Sequence, residues 1–130
     1  MAHFAQLNHS DLVIKVEIVD NNILLDENGN ENEKNGIEHL KSIHGSETIW
    51  VQTSYNNNFR CRYAGPGMSY NREYDVFLYP KPYQSWILNI ENYLWEPPIP
   101  EPELTEEQLE TMSYYEWNEE TQEWKLKEQT

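Results

Sequence analysis

Residues 114–127 read YYEWNEETQEWKLK, and residues 85–98 read SWILNIENYLWEPP. In both stretches an Asn, a Glu and further polar residues stand between large apolar groups, and a Trp closes the pattern. A four-residue hairpin loop over 119–122 accounts for the first. It pairs Asn118 with Glu123, sets Trp117 opposite Trp124, and brings Tyr115 beside Leu126. The same register upstream puts a loop over 90–93, pairs Asn89 with Leu94, sets Leu88 opposite Trp95 and leaves Trp86 beside Pro97. Asn89 and Asn118 lead into these turns, where an Asn side chain accepts backbone N–H bonds. A two-residue loop would pair Trp86 with Trp95, but it lacks the Asn-Gly or Gly-rich centre such loops favour. Two antiparallel hairpins of one type are expected.

Between them lies WEPPIPEPELTEEQLE, where Pro97, Pro98, Pro100 and Pro102 impose an extended, polyproline-like backbone. Thr105 and Gln108 have capping-box spacing, which predicts a helical turn through Glu110. A lone two-stranded hairpin is marginal in water, so Trp117 and Trp124 need cover from the chain's own body or from another chain.

Working back towards the start, the chain reads mostly as strand. Phe4–Leu7 and Leu12–Asp20 are the first two, and in the second Leu12, Ile14, Val16 and Ile18 share one face. Asn21-Asn22 then turns the chain, and Ile23–Leu25 returns as a third strand of a meander. Over residues 33–44 the period changes: Ile37, Leu40 and Ile43 recur at helical spacing, Asn30 and Glu33 have capping-box spacing, and Gly45 stops the helix. Gly36 weakens that helix by roughly 1 kcal/mol against Ala, which points to a start near Asn35. Thr48–Ser54 and Phe59–Tyr63 resume as strands, the second with Phe59, Cys61 and Tyr63 on one side and Arg60 and Arg62 on the other. Ala64-Gly65-Pro66-Gly67 breaks the pattern. Met68–Tyr74 reads as an aromatic loop, Val76–Leu78 as a short strand, and Pro80 and Pro82 as an extended crossing.

The fold class expected is mainly β, bordering on α+β: antiparallel meander and hairpins, one short amphipathic helix, a proline-rich arm and a C-terminal hairpin. The chain of 130 residues suits one modest core. We divide it into a β-rich body, 1–96, and an arm with its helical turn and aromatic hairpin, 97–130.

Charge and composition narrow the function. Residues 1–95 carry twelve acidic and seven basic side chains, while residues 96–130 carry eleven and two. That field repels a phosphate backbone, so nucleic acid is not an expected partner. No run approaches eighteen apolar residues, so no membrane crossing is expected. The start, MAHFAQLNHSDL, lacks the basic and apolar regions of a signal peptide. Cys61 is the single cysteine, which leaves no intrachain disulfide and no cysteine metal framework.

No residue pattern assigns chemistry. His39 and His44 are five apart rather than four, and no HExxH, clustered cysteines or acidic calcium loop accompanies them or His3 and His9, so no metal is expected. Asp26–Glu33 lacks the full register of an EF-hand and reads as a solvated turn. AGPGMSYN lacks the ending of a phosphate loop. Ser54, Ser69 and Ser85 have no evident base, and Glu73 with Asp75 is a carboxylate pair without a visible cleft. We therefore expect a noncatalytic protein without cofactor. Its aromatic wealth points to contact surfaces, with Trp86, Trp95, Pro98, Pro100, Tyr115, Trp117 and Trp124 as the candidate protein interface. A glycan is the lesser alternative, stacking on Trp50, Tyr70, Tyr74, Tyr83 or Trp86.

Several motifs taken together resemble small β-rich proteins, and C-terminal regions, of tailed phages of marine bacteria, especially of cyanobacteria. They are MAHFAQL at Met1–Leu7, the hairpin pattern across Val16–Gly29, and SYN–FR–YAG–G across Ser54–Gly67. A D–F–PKP–SW pattern follows across Asp75–Trp86, and Y–W–E–T–W closes the chain at Tyr115–Trp124. Two departures stand out: Trp124-Lys125 replaces the usual Trp–Val ending, and Asn118 replaces the usual Asp of the terminal turn. The resemblance implies a virion protein assembled in the host cytoplasm, capsid-decorating or tail-associated, whose partners are other phage structural proteins or itself. A tail-fibre assembly chaperone and a carbohydrate-binding adhesin module are the alternatives. No catalytic residues come with the resemblance.

Overall fold

The computed structural model describes residues 1–128, and the chain divides into two compact units, one of residues 1–80 and one from Lys81 onward. The sequence places a boundary after Glu96, but the division falls after Pro80, so both Trp hairpins lie within the second unit. The fold is mainly β.

The first unit is built on an antiparallel sheet of β1 (Ala2–Leu7), β2 (Val13–Val19) and β3 (Ile49–Thr53), in the order β2-β1-β3. Alternation along the central strand feeds two cores. Ala2 and Phe4 bury with Val19, Trp50, Leu24 and Leu40 on one face. Ala5 and Leu7 bury with Val13, Val51, Ala64, Met68 and Phe77 on the other. The even face expected for β2 is broken by a register shift between Gln6 and Leu7, where Leu7 pairs with Val13 rather than Ile14. That bulge turns Val13 into the core and leaves Ile14 49% exposed; Ile18, in regular register with His3 near the other end of the strand, is 59% exposed.

The expected return strand at Ile23–Leu25 is instead the short helix α1 (Asn21–Leu24), because the Asp20 carboxylate caps it by accepting from the Asn22 N–H. The main helix, α2 (Glu33–His44), is capped by Asn32 rather than Asn30 and stopped at Gly45 (φ 122°). Gly36 does not delay its start: a Cβ there would lie 2.3 Å from Phe4 Cζ, so the glycine is where the helix meets the sheet. Ile37 and Leu40 face the core, whereas Ile43 is exposed.

The expected strand at Phe59–Tyr63 does not form. Asn57, Arg60 and Cys61 take positive φ (59°, 54° and 70°), which coils the segment and reverses its faces. Arg62 turns inward, its guanidinium donating to the Phe77 carbonyl at 2.7 Å, and Cys61 is exposed. The aromatic loop expected at 68–74 contains β4 (Ser69–Asn71), which pairs with β5 (Val76–Leu78).

In the second unit β6 (Ile87–Asn89) pairs with β7 (Leu94–Glu96), and β8 (Tyr114–Asn118) pairs with β9 (Glu123–Lys127). Leu88 faces Trp95, Asn89 faces Leu94, Trp117 faces Trp124 and Asn118 faces Glu123, as the shared register requires. The helical turn α3 (Glu106–Glu110) carries the complete Thr105–Gln108 capping box.

The loop device occurs three times, once more than the sequence suggested. Asn71, Asn89 and Asn118 each pair directly across a four-residue loop, with Val76, Leu94 and Glu123. Each Asn side chain accepts from the backbone N–H three residues on, that of Tyr74, Asn92 and Thr121. The fourth loop residues, Asp75, Tyr93 and Gln122, all take positive φ, at 55°, 56° and 52°. A Glu sits two residues past each Asn, at Glu73, Glu91 and Glu120.

Candidate functional site

The register of β8–β9 puts two indoles side by side, and the first hairpin supplies a third. Ring centroids lie 5.2 Å apart for Trp117–Trp124, 6.1 Å for Trp86–Trp117 and 6.4 Å for Trp86–Trp124. Edge-to-face and tilted geometries of this kind favour aromatic pairs beyond their buried area. The chain itself thus covers the terminal hairpin, and Trp117 is buried.

Polar groups fix the cluster. The Glu119 carboxylate accepts from Ser85 Oγ at 2.6 Å, from the Ser85 N–H at 3.0 Å and from Trp117 Nε1 at 2.9 Å. Hydrogen bonds from Ser85 first, and then from Trp117, hold the Glu119 carboxyl below the usual glutamate range. Trp124 Nε1 donates to the Ile99 carbonyl at 2.8 Å, which ties the proline arm to the hairpin. Trp86 Nε1 is buried without a hydrogen-bond partner.

A groove of about 340 Å³ runs along this cluster, lined by Trp86, Trp124, Pro97, Pro100, Glu96 and Glu101. Of the seven expected interface residues, Trp86, Trp124 and Pro100 line it and Trp117 backs it. Trp95 stands elsewhere, with Lys81 Nζ 5.3 Å from its ring centroid. Pro98 is exposed outside the groove lining, and Tyr115 is half-buried opposite Leu126. The sequence missed Pro97, Glu96 and Glu101 as lining residues and Glu119 as the anchor. Glu96 ends β7 and Pro97 continues it, so both were visible in the hairpin register, but the reach of Glu119 to Ser85 has no signal in spacing.

The first unit holds a second polar cluster. Arg60 Nη1 donates to Glu33 Oε2 and to the Gln52 carbonyl, both at 2.7 Å, and its Nε donates to Asp75 Oδ1 at 2.8 Å. Tyr70 Oη also donates to Asp75. Burial opposes the charge on Asp75, but these bonds outweigh it and keep the carboxyl below its usual range. The groups are committed to one another and join α2, β3 and the β4–β5 hairpin. His44 Nε2 bonds to Glu17 Oε2 at 2.8 Å, and His3 stacks on Tyr55 and meets Tyr63 edge-on, the two tyrosine rings also touching each other. Among the described residues no group of three His, Cys, Asp or Glu side chains is placed to hold a metal ion. Trp50, considered for sugar stacking, is buried at 3% exposure, with Nε1 donating to Thr48.

No helix among the described residues is long and apolar enough to cross a membrane. Comparison with protein-family models, with curated proteins and with solved structures finds no match.

Proposed function

We propose that this chain is a noncatalytic structural protein of a phage virion, capsid-decorating or tail-associated, that acts through contacts with other particle proteins or with itself. The observation that carries the reading is the groove lined by Trp86, Trp124, Pro97 and Pro100. Indole and pyrrolidine rings lose little conformational freedom when a partner covers them, which suits them as interface anchors. Glu96 and Glu101 edge the same groove, and the acidic excess of residues 96–130 selects a basic partner surface. On a particle, repeated copies let modest single contacts hold by multivalency.

The test is mass spectrometry of purified particles beside the infected-cell lysate. The reading expects the protein in the particles at a fixed ratio to a structural protein. It also expects particle association to fall about tenfold for the pair Pro100→Ala and Glu101→Lys, both exposed positions. Presence in lysate alone would favour the assembly chaperone instead. Saturable glycan binding lost with Trp86→Ala would favour the adhesin.

A further inference from the structure

The sheet of the first unit has two edges, and they are treated differently. The β3 edge is engaged by side chains at Gln52: its N–H donates to Glu33 Oε2 at 2.8 Å, and its carbonyl accepts from Arg60 at 2.7 Å. Thr53 Oγ1 accepts from the Ala64 N–H at 2.9 Å. The β2 edge is closed only at its start, where Val13 exchanges bonds with Gly67 and Met68. From Ile14 to Val19, among the described residues, no backbone group of β2 bonds beyond β1. An open edge flanked by exposed Ile14 and Ile18 is a template for another strand.

The sequence of that edge states which strand fits. Val13–Val19 reads VIKVEIV, which is symmetric in character about Val16. We propose that β2 pairs antiparallel with β2 of a second copy of this chain, about a two-fold axis at Val16. The two sheets then join into one of six strands. Because Val13 is already paired, the new ladder runs from Ile14 to Ile18. Ile14 meets the partner's Ile18, Val16 meets its own copy, and Lys15 meets the partner's Glu17. The symmetry repeats each contact, as in any isologous interface.

Charge makes this register selective. Lys15 Nζ and Glu17 Oε1 lie 2.9 Å apart on one side of the strand, where Glu17 also bonds His44 Nε2 at 2.8 Å, so across the axis each stands opposite the partner's complementary charge. An axis at Lys15 would set Lys against Lys, and one at Glu17 would set Glu against Glu. Parallel in-register pairing would do both. Like charges directly opposite destabilise a ladder, so the competitors are disfavoured. On the alternate positions Ile14, Val16 and Ile18 form a β-branched stripe that continues across the junction.

The inference is independent of the particle-docking reading, because it uses neither the groove nor the second unit. Sedimentation equilibrium of the full chain over a concentration series tests it. The expected result is a monomer–dimer equilibrium that weakens about tenfold or more for Lys15→Glu and for Glu17→Lys. The double exchange, Lys15→Glu with Glu17→Lys, re-creates the complementary pairs and should return to within roughly threefold of the native association. Far-UV circular dichroism confirms folding of each variant, and Ile18→Lys serves as a second disruptive change at an exposed position. A folded native chain that stays monomeric overturns the inference. So does a dimer indifferent to Ile18→Lys, or single charge variants that fold and associate like the native chain.

Discussion

Gly36 shows how a single residue can look like a defect in sequence and prove to be a fit in structure. Alanine is the better helix former by about 1 kcal/mol, so helix propensity alone favours Gly36→Ala. Yet the added methyl would lie 2.3 Å from Cζ of Phe4, a ring with no exposed surface. Overpacking of that kind costs about 1–3 kcal/mol and outweighs the propensity gain. Gly36→Ala should therefore lower stability by about 1–2 kcal/mol in chemical denaturation. A more stable variant would show that Phe4 can move. Arg62 and Cys61 mark the limit of legibility at this scale. Their inward and outward directions follow from left-handed backbone at Arg60 and Cys61, and neither is a glycine that would have announced it.

At the scale of elements, a hairpin was readable where its loop length and its leading Asn agreed. The registers of β6–β7 and β8–β9 followed from that agreement. The third hairpin, with Asn71 and Glu73 in matching places, was hidden because no Trp closes it. The bulge in β2 was hidden too, since its apolar residues at 13 and 14 fit either face. Each loop ends in a residue that must adopt left-handed backbone, and none of the three is glycine. For an L-residue that conformation costs about 1–2 kcal/mol, part of which glycine gives back through its greater freedom when unfolded. Gln122, exposed at φ 52°, is the cleanest position to change. Gln122→Gly should stabilise the second unit by about 0.5–1 kcal/mol, seen as a higher midpoint in tryptophan-monitored unfolding. A lower midpoint would mean that the side chain matters more than its backbone.

For the whole molecule, the division after Pro80 separates the optical reporters as well as the contacts. Trp50 reports on the first unit, and Trp86, Trp95, Trp117 and Trp124 on the second. The sequence foresaw that the terminal indoles need cover but assigned the first hairpin to the other unit. What it lacked was the link from Glu119 to Ser85, formed across thirty-four residues of chain. That link gives the second unit a pH dependence of defined sign. Glu119 titrates lower when folded than when unfolded, because Ser85 and Trp117 donate to its ionised form. Its contribution is complete above the usual glutamate range and is lost as pH falls through the depressed folded value. Acidification from pH ~6 to pH ~2 should therefore weaken the near-ultraviolet dichroism of the coupled indoles. Glu119→Gln keeps one acceptor oxygen but loses the charge, so it should reduce stability at neutral pH and flatten the acid limb. Asp75 in the first unit is also depressed, so that unit keeps its own acid response in the variant. Hydrogen exchange at Phe4 and Ala5 can follow it separately. An acid limb unchanged by Glu119→Gln would remove the carboxylate from its place as the anchor of the tryptophan cluster.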